Sequence, residues 1–203
     1  LDYVDIFYHH RPDPNTPLEE TVRALDGIVR SGKALYVGIS NYNKEQTIAA
    51  AELFKELGTP FIINQRKYSI FDRTIEKDGL KDYAAAHGIG VITFCPLAQG
   101  LLTDRYLNGI PADSRIRTDG RFLKENAVTE ETENKVRRLN EIAAKRGQTL
   151  AQMALSWILR DADITSVLIG ASKPSQILDN VGCINGPAFT EEERKAIDEI
   201  SLG

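Results

Sequence analysis

Leu1-Asp2-Tyr3-Val4-Asp5-Ile6-Phe7-Tyr8-His9-His10 is the stretch from which the fold reads outward. Val4, Ile6, Phe7 and Tyr8 are β-branched or aromatic, as a strand with at least one buried face requires. The run Arg11-Pro12-Asp13-Pro14 then breaks it, because proline has no N–H to give to a ladder. The strand therefore delivers a histidine pair at its C-terminal end. A core strand at the first residues, without a methionine or a lead-in, sets the expectation that further chain precedes Leu1.

The pattern repeats along the chain. A helix is expected from Pro17, capped by Thr16, with Glu19 and Glu20 in its first turn. Leu18, Val22, Leu25, Ile28 and Val29 form its apolar stripe, and Ser31-Gly32 ends it. Leu35–Ile39 predicts a short strand ending at Ser40-Asn41. Asn43 caps a helix to about Leu57, which Gly58 stops. Phe61–Ile63 predicts a third strand closed by Asn64-Gln65, and a polar connection over 66–77 leads to a helix over 79–86. Gly90–Phe94 predicts the next strand, closed by Cys95-Pro96.

The segment from Leu97 to about Thr129 is rich in Gly, Pro, Asp and Arg, and its length suits a functional lid or a disordered stretch. Thr129 opens a helix to Lys145-Arg146, and Thr149 opens another over Leu150–Leu159. Val167–Ile169 predicts the last strand, followed by Gly170-Ala171-Ser172-Lys173 and a helix beginning at Pro174. Thr190 caps a final amphipathic helix through Ile200. No internal repeat or linker stands out, so residues 1–203 read as one domain.

Five β-α repeats predict a parallel sheet with crossover helices. Two α/β architectures compete, an open doubly wound sheet and part of a (β/α)8 barrel. Each predicted strand ends in a polar or special cluster: His9-His10, Ser40-Asn41, Asn64-Gln65, Phe94-Cys95-Pro96 and Gly170-Ala171-Ser172-Lys173. Barrel strands converge on one functional mouth, whereas an open sheet concentrates its site at one crevice. Five loaded strand ends favour the barrel, although five strands cannot close one of eight.

Composition narrows the function classes. Hydrophobic residues make up 42% and charged residues 27% of the 203, as in an ordinary globular protein. The formal net charge of -4 argues against nucleic-acid binding, which needs a basic surface. No apolar run approaches the length of a membrane span. Cys95 and Cys183 lack metal-type spacing and read as free thiols in a reducing, cytoplasmic setting. Adjacent His9 and His10 diverge by strand alternation, and no third ligand is spaced for a metal. Gly88-Ile89-Gly90 precedes a strand instead of following one, so it is not a dinucleotide fingerprint.

Five segments together resemble the aldo-keto reductase family: Val4–His10, Gly38-Ile39-Ser40-Asn41-Tyr42, Ile63-Asn64-Gln65, Pro96–Thr103 and Ile169-Gly170-Ala171-Ser172-Lys173-Pro174. Their order and spacing carry the resemblance across essentially the whole chain. Tyr106–Arg115 is similar to the bacterial subgroup that reduces L-glyceraldehyde 3-phosphate, itself related to potassium-channel beta subunits. The resemblance implies a (β/α)8 TIM barrel, of which this chain holds strands four to eight without the first three βα units. It also implies hydride transfer between NADP(H) and a small carbonyl substrate.

The family's catalytic set is an Asp, a Tyr, a Lys and a His. His10 matches the histidine; residues matching the other three are not in this sequence. The resemblance assigns His10 a hydrogen bond to the carbonyl oxygen that becomes alkoxide, and leaves His9 a structural neighbour. Ser40, Asn41 and Gln65 match positions that bind the nicotinamide carboxamide, whose acceptor and donors they complement. Phe94 stands where relatives stack a tyrosine on the nicotinamide ring, a task that needs only an aromatic face.

Cys95, Pro96, Leu97 and Gly100 lead into a loop that folds over the pyrophosphate in the family. Gly170, Ser172 and Lys173 precede a helix start, where amides attract phosphate, and Lys173 suits an adenosine 2′-phosphate. Gln176, Asp179 and Asn180 match adenosine contacts. Each of these also has an ordinary reading as a turn, cap or core residue. Lys81 and Arg115 are cations that a substrate phosphate, such as that of a small aldose, would find. The resulting expectations are an NADP-dependent reductase in the parent protein, an inactive and oligomer-prone isolated fragment, and, as the alternative, an NADP(H)-binding regulatory module.

Overall fold

The structure, a computed structural model, describes residues 1–106, 109–110, 117 and 127–203. One five-stranded sheet has the order β1 (Val4–His9), β2 (Ala34–Ser40), β3 (Phe61–Lys67), β4 (Gly90–Phe94) and β5 (Ser166–Val167). The ladders joining β1 to β4 are parallel. The described helices are α1 (Leu18–Arg30), α2 (Lys44–Leu57), α3 (Thr74–Lys77), α4 (Leu80–Ala86), α5 (Glu130–Lys145), α6 (Leu150–Ile158), α7 (Pro174–Val181) and α8 (Glu191–Leu202). Parallel strands need such crossovers because a short turn cannot carry the chain back to the same end of the sheet. Among the described residues no helix is long and apolar enough to cross a membrane.

The chain divides into two compact units. The first comprises residues 1–67, 73–94 and 162–166. Register fixes what each face of its sheet presents. Gly38 pairs with Tyr8 and Ile63, and Ser40 pairs with Gln65. Gln65 pairs in turn with Ile92, and Lys67 with Phe94. By strand alternation, Tyr8, Gly38, Ser40, Ile63, Gln65, Ile92 and Phe94 share one face.

Val37, Ile39, Asn64, Val91 and Thr93 point to the other face. There Val37 and Ile39 join Val22 and Leu25 of α1 and Ala50 and Phe54 of α2 in a buried cluster. Phe54 stacks on Phe61 with ring centroids 5.2 Å apart. Thr165 extends the sheet past β4: its N–H donates to the Val91 carbonyl at 2.8 Å, and its hydroxyl accepts from the Val91 N–H at 3.2 Å.

The second unit comprises residues 68–72, 95–161 and 167–203. Its core is built on α6, whose Met153, Ala154, Trp157 and Ile158 are buried, with Leu139 of α5 and Ile197 of α8. Tyr68 is fully buried against Trp157, ring centroids 5.4 Å apart, and its hydroxyl accepts from Arg160 at 3.2 Å. Arg146 closes the same unit from below Phe189. Its guanidinium carbon lies 3.7 Å from the ring centroid, and its nitrogens donate to Glu193 and to the carbonyls of Pro187 and Ala188.

Local signals explain most element ends. Asn43 and Gln46 form a capping box on α2, and Gly58 ends that helix in the left-handed region at φ 70°. Thr149 and Thr190 cap α6 and α8 in the same way. Four ends differ from the sequence expectation. Thr16 does not cap α1. Its hydroxyl donates to Asp13 at 2.8 Å, which leaves Pro17 at the N-cap without a side-chain bond.

β3 continues through Asn64 and Gln65 to Lys67, because β4 offers Thr93 and Phe94 as ladder partners to Arg66 and Lys67. The connection over 66–77 ends in the short helix α3, where Arg73 and Glu76 pair at 2.6 Å. The last strand is Ser166–Val167, not 167–169, since Thr165 makes the bonds to Val91; Leu168 is left exposed. Of Tyr106–Arg115, only Tyr106, Gly109 and Ile110 fall among the described residues, and Arg115 lies outside them.

Gly38 is required by close approach rather than by backbone conformation. A Cβ there would sit 2.6 Å from Cε1 of Tyr8 and 2.9 Å from Cγ2 of Ile63. Gly38→Ala should therefore destabilise the first unit by about 1–3 kcal/mol, the usual range for overpacking. Tyr8→Leu in the same chain should recover part of that loss. Chemical denaturation of the single and double variants checks both.

Candidate functional site

The ends of β1, β2 and β3 are laced together by one residue. Asn41 leaves β2 with φ 65°, a left-handed conformation that a short amide side chain tolerates. Its backbone N–H donates to the Gln65 carbonyl at 3.0 Å. Its Nδ2 donates to the His10 carbonyl at 2.9 Å and to Oγ of Ser40 at 3.1 Å. Both Nδ2 hydrogens are thereby engaged, and Oδ1 remains as an acceptor.

Ser40 is buried, while the Gln65 amide is half-buried and makes no hydrogen bond among the described residues. Phe94 is half-buried at the end of β4, on the same sheet face as Ser40 and Gln65. The structure thus brings Ser40, Asn41 and Gln65 together, with His10 joined to them through its main chain.

On the opposite face, His9 and Tyr42 meet. Nδ1 of His9 lies 2.7 Å from the Tyr42 hydroxyl, and the rings pack edge to face. Burial pushes the Tyr42 hydroxyl up to about 12. Burial also lowers His9 below the usual histidine value; the Asp13 charge opposes that shift and the neighbouring His10 adds to it. Tyr42 is itself anchored, because its carbonyl accepts from Nδ2 of Asn64 at 3.1 Å. Asn64, fully buried, also donates to Thr47 at 2.9 Å. His10 is exposed immediately past the strand end.

The second unit carries the remaining sequence-derived residues. After β4 the backbone winds tightly, with Cys95 at φ 55°, Ala98 at 46°, Gln99 at 61° and Gly100 at 101°. Gly100 N–H donates to the Leu97 carbonyl at 2.8 Å, and Leu102 N–H reaches the same carbonyl at 3.1 Å. Pro96 is buried, and Cys95 is a half-exposed free thiol. Positive φ is costly at the non-glycine residues Cys95, Ala98 and Gln99 and marks this turn as a built feature. Cys183, the other free thiol, is buried, and burial raises its pKa.

Gly170, Ser172 and Lys173 are exposed before α7. Oε1 of Gln176 accepts from the Ser172 N–H at 2.8 Å, from its hydroxyl at 3.2 Å and from the Lys173 N–H at 3.3 Å. The amides that sequence reasoning offers to a phosphate are therefore held by a neutral side chain. Asp179 ties α7 to α6: its carboxylate accepts from Thr149 at 3.3 Å and from Gln152 at 3.0 Å. Asn180 is buried on α7.

A cleft of about 330 Å³ in this unit, lined by Ser156, Arg160, Cys183, Phe189 and Arg194 among others, contains none of the sequence-derived site residues. Both of its arginines turn to Asp161. Among the described residues no group of three or more His, Cys, Asp or Glu could hold a metal ion. Sequence reasoning missed the working partners of the histidine pair. No sequence signal announces Tyr42 as such a partner, because the contact spans 33 residues and follows from the left-handed turn at Asn41.

Comparison with known proteins gives the family. The profile described as the aldo/keto reductase family matches residues 1–202. The chain belongs to that family. It is 52% identical over 202 residues to the L-glyceraldehyde 3-phosphate reductases of Escherichia coli K12 and O157:H7, a match covering 98% of this chain. The chain spans 58% of the length of those curated relatives.

Among solved structures it resembles a glycerol dehydrogenase of Gluconobacter oxydans, with a TM-score of 0.78 at 32% identity over 98% of this chain and 59% of that one. It also resembles a thermostable aldo-keto reductase solved with the inhibitor epalrestat, with a TM-score of 0.73 at 28% identity over 98% and 60%. Both likenesses extend over 98% of this chain, the strand ends at Ser40, Asn41 and Gln65 included.

The His9 environment has a measurable consequence. Because folding lowers its pKa below the usual 6.5, the unfolded chain takes up a proton at higher pH than the folded one. The stability this group contributes is complete above that value and is lost as pH falls through the lowered one. Melting temperature should therefore fall as pH drops from about 7.5 to about 5. His9→Phe should flatten that slope in the same buffer series.

Proposed function

We propose that the chain binds NADP(H) and forms the cofactor-holding part of an enzyme that reduces a small aldehyde or ketone. Membership of the aldo/keto reductase family and the reductase names of the 52%-identical relatives support the reading. Those relatives favour a phosphorylated three-carbon aldose as the substrate class. In this reading β1 to β5 are strands four to eight of a (β/α)8 barrel.

The observation that carries the proposal is the Asn41 clamp and the polar atoms it leaves open. Oδ1 of Asn41, the hydroxyl of Ser40 and the unengaged amide of Gln65 offer acceptors and donors at adjoining strand ends. A carboxamide presents the complementary set. Such a donor and acceptor pattern fits a nicotinamide, and Phe94 supplies an aromatic face on that side of the sheet. The bound cofactor would supply the hydride.

The protein's part is to orient and to polarise. Ser40, Asn41 and Gln65 hold the carboxamide so that one ring face is presented. His10, held by its carbonyl, gives a hydrogen bond to the substrate oxygen as charge develops on it. Lys173 meets the adenosine phosphate as a point charge, and Gln176 is exchanged for phosphate oxygens at the Ser172 and Lys173 amides. The left-handed turn over 95–100 offers main-chain amides to the pyrophosphate.

Fluorescence titration should show NADPH binding more tightly than NADH. Lys173→Ala should weaken NADPH by about tenfold, the loss of one charge-assisted contact, and change NADH little. Aldehyde-dependent NADPH oxidation, assayed in this chain and in one carrying upstream sequence, tests the reaction. Binding without turnover in the longer chain would favour a regulatory module. Absence of binding in both would remove the cofactor reading.

A further inference from the structure

We propose that Tyr42 and His9 form a positioning pair that fixes His10 at the end of β1. The proposal rests on the reading of His10 as the group that meets the carbonyl oxygen. It assigns a role to two residues that this reading does not use. Among the described residues β1 pairs with β2, and the ladder ends at the His9–Ile39 pair. His10 lies just beyond that end, so other bonds must fix where its ring is carried.

Two side-chain bonds continue the hold past the end of the ladder, and they come from consecutive residues. Asn41 donates to the His10 carbonyl. Tyr42 meets Nδ1 of His9 at 2.7 Å from the opposite face. The left-handed φ of Asn41 lets these two neighbours reach both sides of β1. Tyr42 is a firm anchor: it is 1% exposed, and its carbonyl is bound by Asn64 of β3, which is bound in turn to Thr47 of α2. A buried phenol needs a hydrogen-bond partner, and His9 Nδ1 is that partner. Pulling His9 to this face therefore sets the direction in which the chain leaves β1 and the place where the His10 ring is carried.

Imidazole NMR of this chain tests the pair, since it holds only three histidines, 9, 10 and 87. His87 is the internal control, because its Nδ1 is bound to the Tyr83 carbonyl in its own helix. Tyr42→Phe and His9→Phe each delete one half of the bond and keep a ring in place. Both should shift and broaden the His10 ring signals while leaving His87 unchanged. The double variant should add nothing beyond either single one, as expected for residues acting as a unit.

Melts followed by Trp157 fluorescence show which variants fold, and one folded variant suffices for the comparison. His10 signals identical to wild type in a folded variant would overturn the proposal. NADPH titration is run in parallel and should be unchanged within about twofold, since neither residue meets the cofactor. Failure of the wild-type chain to bind NADPH would count against the cofactor reading and would leave the His10 comparison readable. A change in NADPH affinity in both variants, with His10 signals intact, would assign the pair to the cofactor and overturn the positioning role.

Discussion

Asn41 in the left-handed region, with its amide bound to the His10 carbonyl and its N–H to the Gln65 carbonyl, joins three parallel strand ends. Ladder bonds align strands along their length but stop at the last paired residue, so something else must fix what projects beyond. A left-handed residue does this because it reverses the side to which the next side chain points. Here residue 41 serves one face and residue 42 the other. Ser40 and Gln65 remain paired in register, and the histidines are gripped from both sides. The polar groups left open by this arrangement suit a carboxamide.

The packing beneath is what allows the strand ends to be polar. Val37 and Ile39 bury one face of β2 against α1 and α2, and Gly38 lets Tyr8 cross the other face towards Ile63. With apolar burial supplied deeper in the strands, Ser40 and Gln65 can be polar at the ends. Asn64 is the exception, a fully buried amide on the helix side. Its bonds to the Tyr42 carbonyl and to Thr47 make it a brace for the turn rather than part of the face that carries Gln65.

Much of the fold was legible because its causes are local. Asn43 with Gln46, Thr149 with Gln152 and Thr190 with Glu193 announce helix starts within four residues. Where the cause is distant or competitive, sequence reading failed. Thr16 is claimed by Asp13 before it can cap, the length of β3 is decided by β4, and the start of β5 follows bonds between Thr165 and Val91. The site divides in the same way. Family resemblance pointed to Ser40, Asn41 and Gln65, whereas the double use of Asn41 and the contact between His9 and Tyr42, 33 residues apart, exist only in three dimensions. The hold of Gln176 on the Ser172 and Lys173 amides was equally hidden, since nothing in spacing says whether an amide is already taken.

The central claim is that the strand ends at Ser40, Asn41 and Gln65 recognise a nicotinamide. Side-chain amide signals of Asn41 and Gln65 can be followed by NMR while NADPH is added. A parallel titration uses the adenosine 2′-phosphate diphosphoribose fragment, which lacks the nicotinamide. The account predicts that NADPH shifts both amides, and that the fragment shifts only signals around Ser172 and Lys173. Asn41 and Gln65 signals that stay in place at saturating NADPH would contradict it.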